Sequence, residues 1–91
     1  MKHELKIWPQ YYDRVLSGEK TFEYRNNDRG FQKGDKVCLK CFDPEKQEYI
    51  TDEKNQRSAW IFAEVGYVLP LQKGQFCVFS LLNVTTEGVW P

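Results

Sequence analysis

Lys20, Glu23 and Arg25 fall within one short stretch, Gly18-Glu19-Lys20-Thr21-Phe22-Glu23-Tyr24-Arg25. A lysine and a carboxylate in one cleft can do acid–base chemistry, because mutual charge and partial burial move their protonation equilibria. An arginine beside them adds a planar fork of donors for a phosphate or a base edge. Asp28 and Arg29 follow in the next segment, and Trp8, Tyr12 and Tyr24 could stack on bases. Arg29, Lys33 and Lys36, with Arg14, Lys20 and Arg25, could form a local positive patch, while much acidic charge falls in residues 43–53. The plainer alternative is a solvated ladder of ion pairs on a strand face, which stabilises little. For Tyr12 it is a place in the core, and for Trp8 a lid over a helix start.

The elements that must position these groups are legible from periodicity. His3-Glu4-Leu5-Lys6-Ile7-Trp8 alternates as a half-buried strand does, with Leu5 and Ile7 inward and Lys6 and Trp8 on the other face. Pro9 suits the first turn of a helix, Tyr12, Val15 and Leu16 form one apolar stripe, and Gly18 is a left-handed stop. A strand over Thr21–Arg25 puts Thr21, Glu23 and Arg25 on one face and Phe22 and Tyr24 on the other, with Phe22 expected in the core. Asn26–Gly30 is turn-forming, Phe31 is expected to tuck back onto the core, and Lys33-Gly34-Asp35 reads as a tight turn. A strand with Val37, Leu39 and Cys41 on one face follows. Residues 43–58 read as an exposed loop or long hairpin tip. Trp60–Leu69 reads as a long strand bent at Gly66, and Phe76–Val84 as the last strand. Val89 and Trp90 are expected to cover an edge. The expected fold is therefore mostly β (α+β), a small, partly closed barrel of five or six strands with one main helix after the first strand.

Ninety-one residues make one domain, 1–91, of modest core. Thirteen Lys and Arg balance thirteen Asp and Glu, which argues against a long basic groove that reads many phosphates. Cys38, Cys41 and Cys77 are odd in number and no secretory signal is seen, so reduced structural thiols and a cytoplasmic location are expected. The Cys38-x-x-Cys41 pair lacks enough further Cys or His ligands for zinc, so no metal and no cofactor is expected. His3 reads as a satisfied core or surface histidine. No apolar run is long enough to cross a membrane. A monomer is the expected state.

Gly18-x-Lys20-x-x-Glu23-x-Arg25 resembles the G-x-K-x-x-E-x-R signature of the activating signal cointegrator homology (ASCH) superfamily, β-barrels related to the PUA fold of RNA-modifying enzymes. His3-Glu4-Leu5-Lys6, Pro9-x-Tyr11-Tyr12, Asn27-Asp28-Arg29-x-Phe31, Gly34-Asp35 and Gly66-Tyr67-Val68-Leu69 are similar to a short bacterial and phage branch of it. The resemblance implies a cleft between helix and barrel, suited to RNA or a nucleotide-like ligand. Lys20, Glu23, Arg25, Asp28, Arg29, Trp8 and Tyr24 would contact that ligand. Some ASCH relatives are amidohydrolases that deacylate a modified cytidine with a lysine, a threonine three residues later and a distant glutamate. Here Lys20 matches, Glu23 stands at the threonine position, and Glu64 is the candidate for the distant acid. Two readings follow: a binding module, or a small hydrolase in which Lys20 is the base and Glu23 shuttles the proton. A third reading is a protein-interaction domain with an exposed apolar patch around Trp60 or Trp90.

Overall fold

Strand β1 (Lys2–Ile7) buries His3, Leu5 and Ile7 and exposes Lys2, Glu4 and Lys6, as a two-residue period requires. The structure is a computed structural model that describes residues 1–52 and 57–87. Helix α1 (Pro9–Leu16) starts with Pro9 in its first turn. It buries Val15 and packs Tyr12 against the core. Leu16, expected on the same stripe, is 47% exposed. A helix of eight residues touches the sheet along a narrow line, and Leu16 falls beyond it. Gly18 takes a φ of 81°, in the left-handed region. Its N–H donates to the Val15 carbonyl at 3.2 Å, and the Lys20 N–H donates to the Arg14 carbonyl at 2.9 Å. The backbone of Lys20 is thereby tied to the helix end.

Strand β2 (Phe22–Asn26) follows, then β3 (Lys36–Asp43), which runs parallel to β1 in the register Lys2↔Lys36 to Ile7↔Cys41. The described part of the charged segment after Asp43 holds three short strands. In it β4 (Glu48–Tyr49) pairs with β3, and β5 (Thr51–Asp52) pairs with β6 (Arg57–Ser58). Strand β7 (Trp60–Leu71) and strand β8 (Phe76–Thr85) complete the sheet, joined by a short 3-10 turn over Gln72–Gly74. Residues 88–91 lie outside the described residues, so the expectation for Val89 and Trp90 does too.

The main path is β1-β3-β7-β8-β2, the five strands expected from periodicity. Its two end strands do not pair, so the sheet is open and not a closed barrel. Side chains fill the place where a closing ladder would run, as the next section describes. The core gathers Leu5, Ile7, Phe31, Val37, Leu39, Ile61, Val65 and Phe79 with Val15 of the helix. Gly66 sits where the β7–β8 register shifts, between Val65 and Val68. A Cβ there would collide with Ser80 Oγ and come within 3.2 Å of Leu82 Cγ, so the side chains of the neighbouring strand leave room only for glycine.

The face assignment of β2 needs correction. Phe22 is 45% exposed, whereas Glu23 is 3% exposed. The alternation is as expected, but the polar row points inward. His3 is buried beside Phe31 and bonds Asp35, its Nε2 lying 2.9 Å from Asp35 Oδ2. Asp35 also accepts from the Gln32 N–H at 3.0 Å and from the N-terminal ammonium at 3.2 Å. Burial pushes the Asp35 carboxyl up, but the bonds from His3, Gln32 and the ammonium outweigh it and hold it below its ordinary value. This cluster pins the turn before β3 to the start of β1.

Candidate functional site

Glu23 is the centre of the site. Its Oε1 accepts from Lys20 Nζ at 2.6 Å and its Oε2 from Arg25 Nε at 2.8 Å. A buried carboxylate is tolerated only when paired and hydrogen-bonded, and here each oxygen has its own cation. Lys20 and Arg25 remain 16% and 24% exposed at the side chain, so the pairs lie at the wall of a hollow, not on an open strand face.

The same cations occupy the open edges of the sheet. The odd-numbered residues along β2 and its flanks bond β8 and its approach: the Leu81 N–H donates to the Thr21 carbonyl and the Asn27 N–H to the Gln75 carbonyl. The even-numbered ones therefore turn toward the gap. There Lys20 Nζ donates to the Phe22 carbonyl at 2.6 Å. Across the gap, Arg25 Nη2 donates to the Lys6 carbonyl at 2.7 Å and Arg29 Nη1 to the Glu4 carbonyl at 3.2 Å. Three edge carbonyls thus end on three cationic side chains. This stitches β1 to β2 without a ladder and blunts two edges that would otherwise invite pairing with another chain.

Two hollows flank the stitch. The first, about 740 Å3, lies between α1 and β2. Trp8, Tyr11, Phe22 and Tyr24 give it an aromatic rim, and Lys20, Glu23 and Arg25 line it. Its cations Lys6, Arg14, Lys20 and Arg25 outnumber its carboxylates Glu19 and Glu23 by two. Arg14 lies 3.5 Å from Glu19. The second hollow, about 490 Å3, is lined by Arg29, Asp28, Asn26, Lys40, Glu4 and Tyr49, among others. Lys6 and Arg25 line both.

The structure therefore brings Lys20, Glu23, Arg25, Trp8 and Tyr24 to one hollow and places Asp28 and Arg29 in its neighbour. Glu64 lines neither. It lies 3.4 Å from Lys36 Nζ and accepts from Asn83 Nδ2 at 3.0 Å, on the outer face of β7. Lys33 and Lys36 also lie outside both hollows. Tyr12 belongs to the core side of the helix, and Tyr24 stacks on Phe76 with ring centroids 5.8 Å apart. Sequence reasoning missed Lys6, Tyr11 and Lys40. For Lys6 and Lys40 the outward half of the strand alternation was the available signal; Tyr11 lies on helix α1, beside the core-packed Tyr12, where no such alternation runs. All three cysteines are buried; burial, with Asp13 and Asp43 adding charge, pushes the Cys41 thiol up to about 11. Among the described residues, no group of three or more His, Cys, Asp and Glu side chains could hold a metal ion. No helix there is long and apolar enough to cross a membrane.

Residues 2–81 match the family described as a domain of unknown function, DUF3850. The chain belongs to that family, and the site just described lies within the matched span. A stretch of 37 residues, 41% of the chain, is 43% identical to the uncharacterized 12.9 kDa protein in the GpA 3′ region of Escherichia phage P2. It covers 34% of that protein, so the chain spans about a third of the curated relative's length.

Proposed function

We propose that the chain is an RNA- or nucleotide-binding module of ASCH-like, PUA-related type. The observation that carries this reading is the buried Glu23, which holds Lys20 and Arg25 at fixed positions in the wall of an aromatic-rimmed hollow. Cations pre-oriented by a buried carboxylate lose little side-chain freedom on meeting a phosphate or a base edge. Exposed rings beside them accept a base face of any identity. Glu23 itself, with both oxygens engaged, is a positioning residue that sets Arg25. The Arg25 bonds to Glu23 and Lys6 use two of the five donors of the guanidinium, and the rest serve the ligand.

Fluorescence anisotropy with short single-stranded and structured RNAs, at low and at physiological salt, tests this. Binding that weakens in Lys20→Ala and Arg25→Ala is expected. No binding at low salt, or binding indifferent to Arg25→Ala in a folded variant, overturns it. Turnover of an acylated cytidine that is lost in Lys20→Ala would instead support the hydrolase reading.

A further inference from the structure

The two hollows differ in chemistry and share a wall. The first offers rings and the Glu23-anchored cations; the second is polar, with Arg29, Lys40, Asn26 and the Lys6 stem, and with Glu4 and Asp28 as its carboxylates. Glu4 is partly neutralised, its Oε2 lying 3.3 Å from Lys40 Nζ. Asp28 is the remaining negative group, so the second hollow keeps a net positive lining. The shared wall is Arg25 bonded to the Lys6 carbonyl. A guanidinium with hollows on both sides can contact a group that crosses from one to the other.

We infer that the ligand is a segment of at least two linked nucleotides lying across the Arg25–Lys6 bridge. The base of one nucleotide sits against the aromatic rim of the first hollow with its own phosphate on Lys20 and Arg25, and the phosphate of the next nucleotide sits over Arg29 and Lys40 in the second. This rests on the RNA-binding reading and narrows it, because a single nucleotide whose base and phosphate are both held in the first hollow has no second phosphate to place in the other. The first hollow suits a base because ring faces stack on it with little regard to sequence. The second suits a phosphate because arginine presents a fork to oxyanions and lysine a point charge. Arg29 is exposed, and its 3.2 Å bond to the Glu4 carbonyl is a long one that a phosphate can replace.

The test compares nucleoside 5′-monophosphates with 5′-phosphorylated dinucleotides by calorimetric titration of the full chain at several salt concentrations. The expected result is a dinucleotide affinity about tenfold or more above that of the mononucleotide. The slope of log K against log salt should steepen by about 0.7, the value for one more phosphate neutralised in a single strand. In Arg29→Gln the ratio of the two affinities falls toward one and the slopes converge. Lys40→Gln gives the same convergence and serves if Arg29→Gln lowers the melting temperature. A ratio near one in the wild type, or a ratio that survives both substitutions, overturns the two-hollow arrangement while leaving RNA binding intact. Absence of binding to either probe and to longer RNAs overturns both.

Discussion

Glu23→Gln is the sharpest perturbation of this molecule. The substitution keeps the side chain's shape and removes its charge. In the native protein two cations end on this one carboxylate, at 2.6 and 2.8 Å, and Glu23 is 3% exposed. The amide retains one acceptor oxygen and turns an NH2 group toward the other cation, a donor facing a donor. Removing one partner from a fully buried ion pair costs about 3–5 kcal/mol, and a lost bond to a charged group about 1.5–3. Lys20 and Arg25 keep some contact with water, so the expected loss lies at about 2–3 kcal/mol. For a domain of this size that lowers the melting temperature by about 10–20 °C. Thermal and urea unfolding followed by far-UV circular dichroism give the measurement. A double-mutant cycle with Arg25→Gln should then show a coupling of about 1–3 kcal/mol, because both changes cut one bond. A melting temperature within 3 °C or so of wild type, roughly the size of a sub-1 kcal/mol change, would refute the placing of Glu23 as a buried hub.

Two further outcomes follow from the scaffold. Asp35 has a folded pKa below its ordinary value, so its bonds stabilise the fold above about pH 4 and that contribution is lost as pH falls through the lowered value. The urea midpoints of wild type and Asp35→Asn should therefore differ most at neutral pH and draw together as pH falls below about 4; a constant difference from neutral pH down through the acid range would contradict the assignment. Gly66→Ala drives a methyl against Ser80 Oγ, which already accepts the Tyr67 N–H at 2.9 Å, and against Leu82 Cγ at 3.2 Å. It should destabilise by about 1–3 kcal/mol in a urea titration, the usual cost of overpacking, and a neutral result would deny the close approach of β8.

Local signals in the chain determined most of the elements. Pro9 and Gly18 bound a helix through requirements that act within a few residues, a missing N–H that costs nothing and a positive φ. The two-residue period of 22–25 separated its two faces correctly for the same reason, since pleating alternates side chains whatever surrounds them. The tertiary structure decided which face is inside. Hydrophobicity favoured Phe22, yet Glu23 is buried because Lys20, held at the helix end, and Arg25, bonded across the gap to Lys6, converge on it. Charge compensation of Glu23 by two cations, each tied to another element, outweighs the apolar preference of one side chain, and no local period can register those ties. The open sheet has the same origin. Parallel pairing of β1 with β3 and the edge position of β2 leave two strands facing each other at a distance that arginine side chains span and backbone bonds do not.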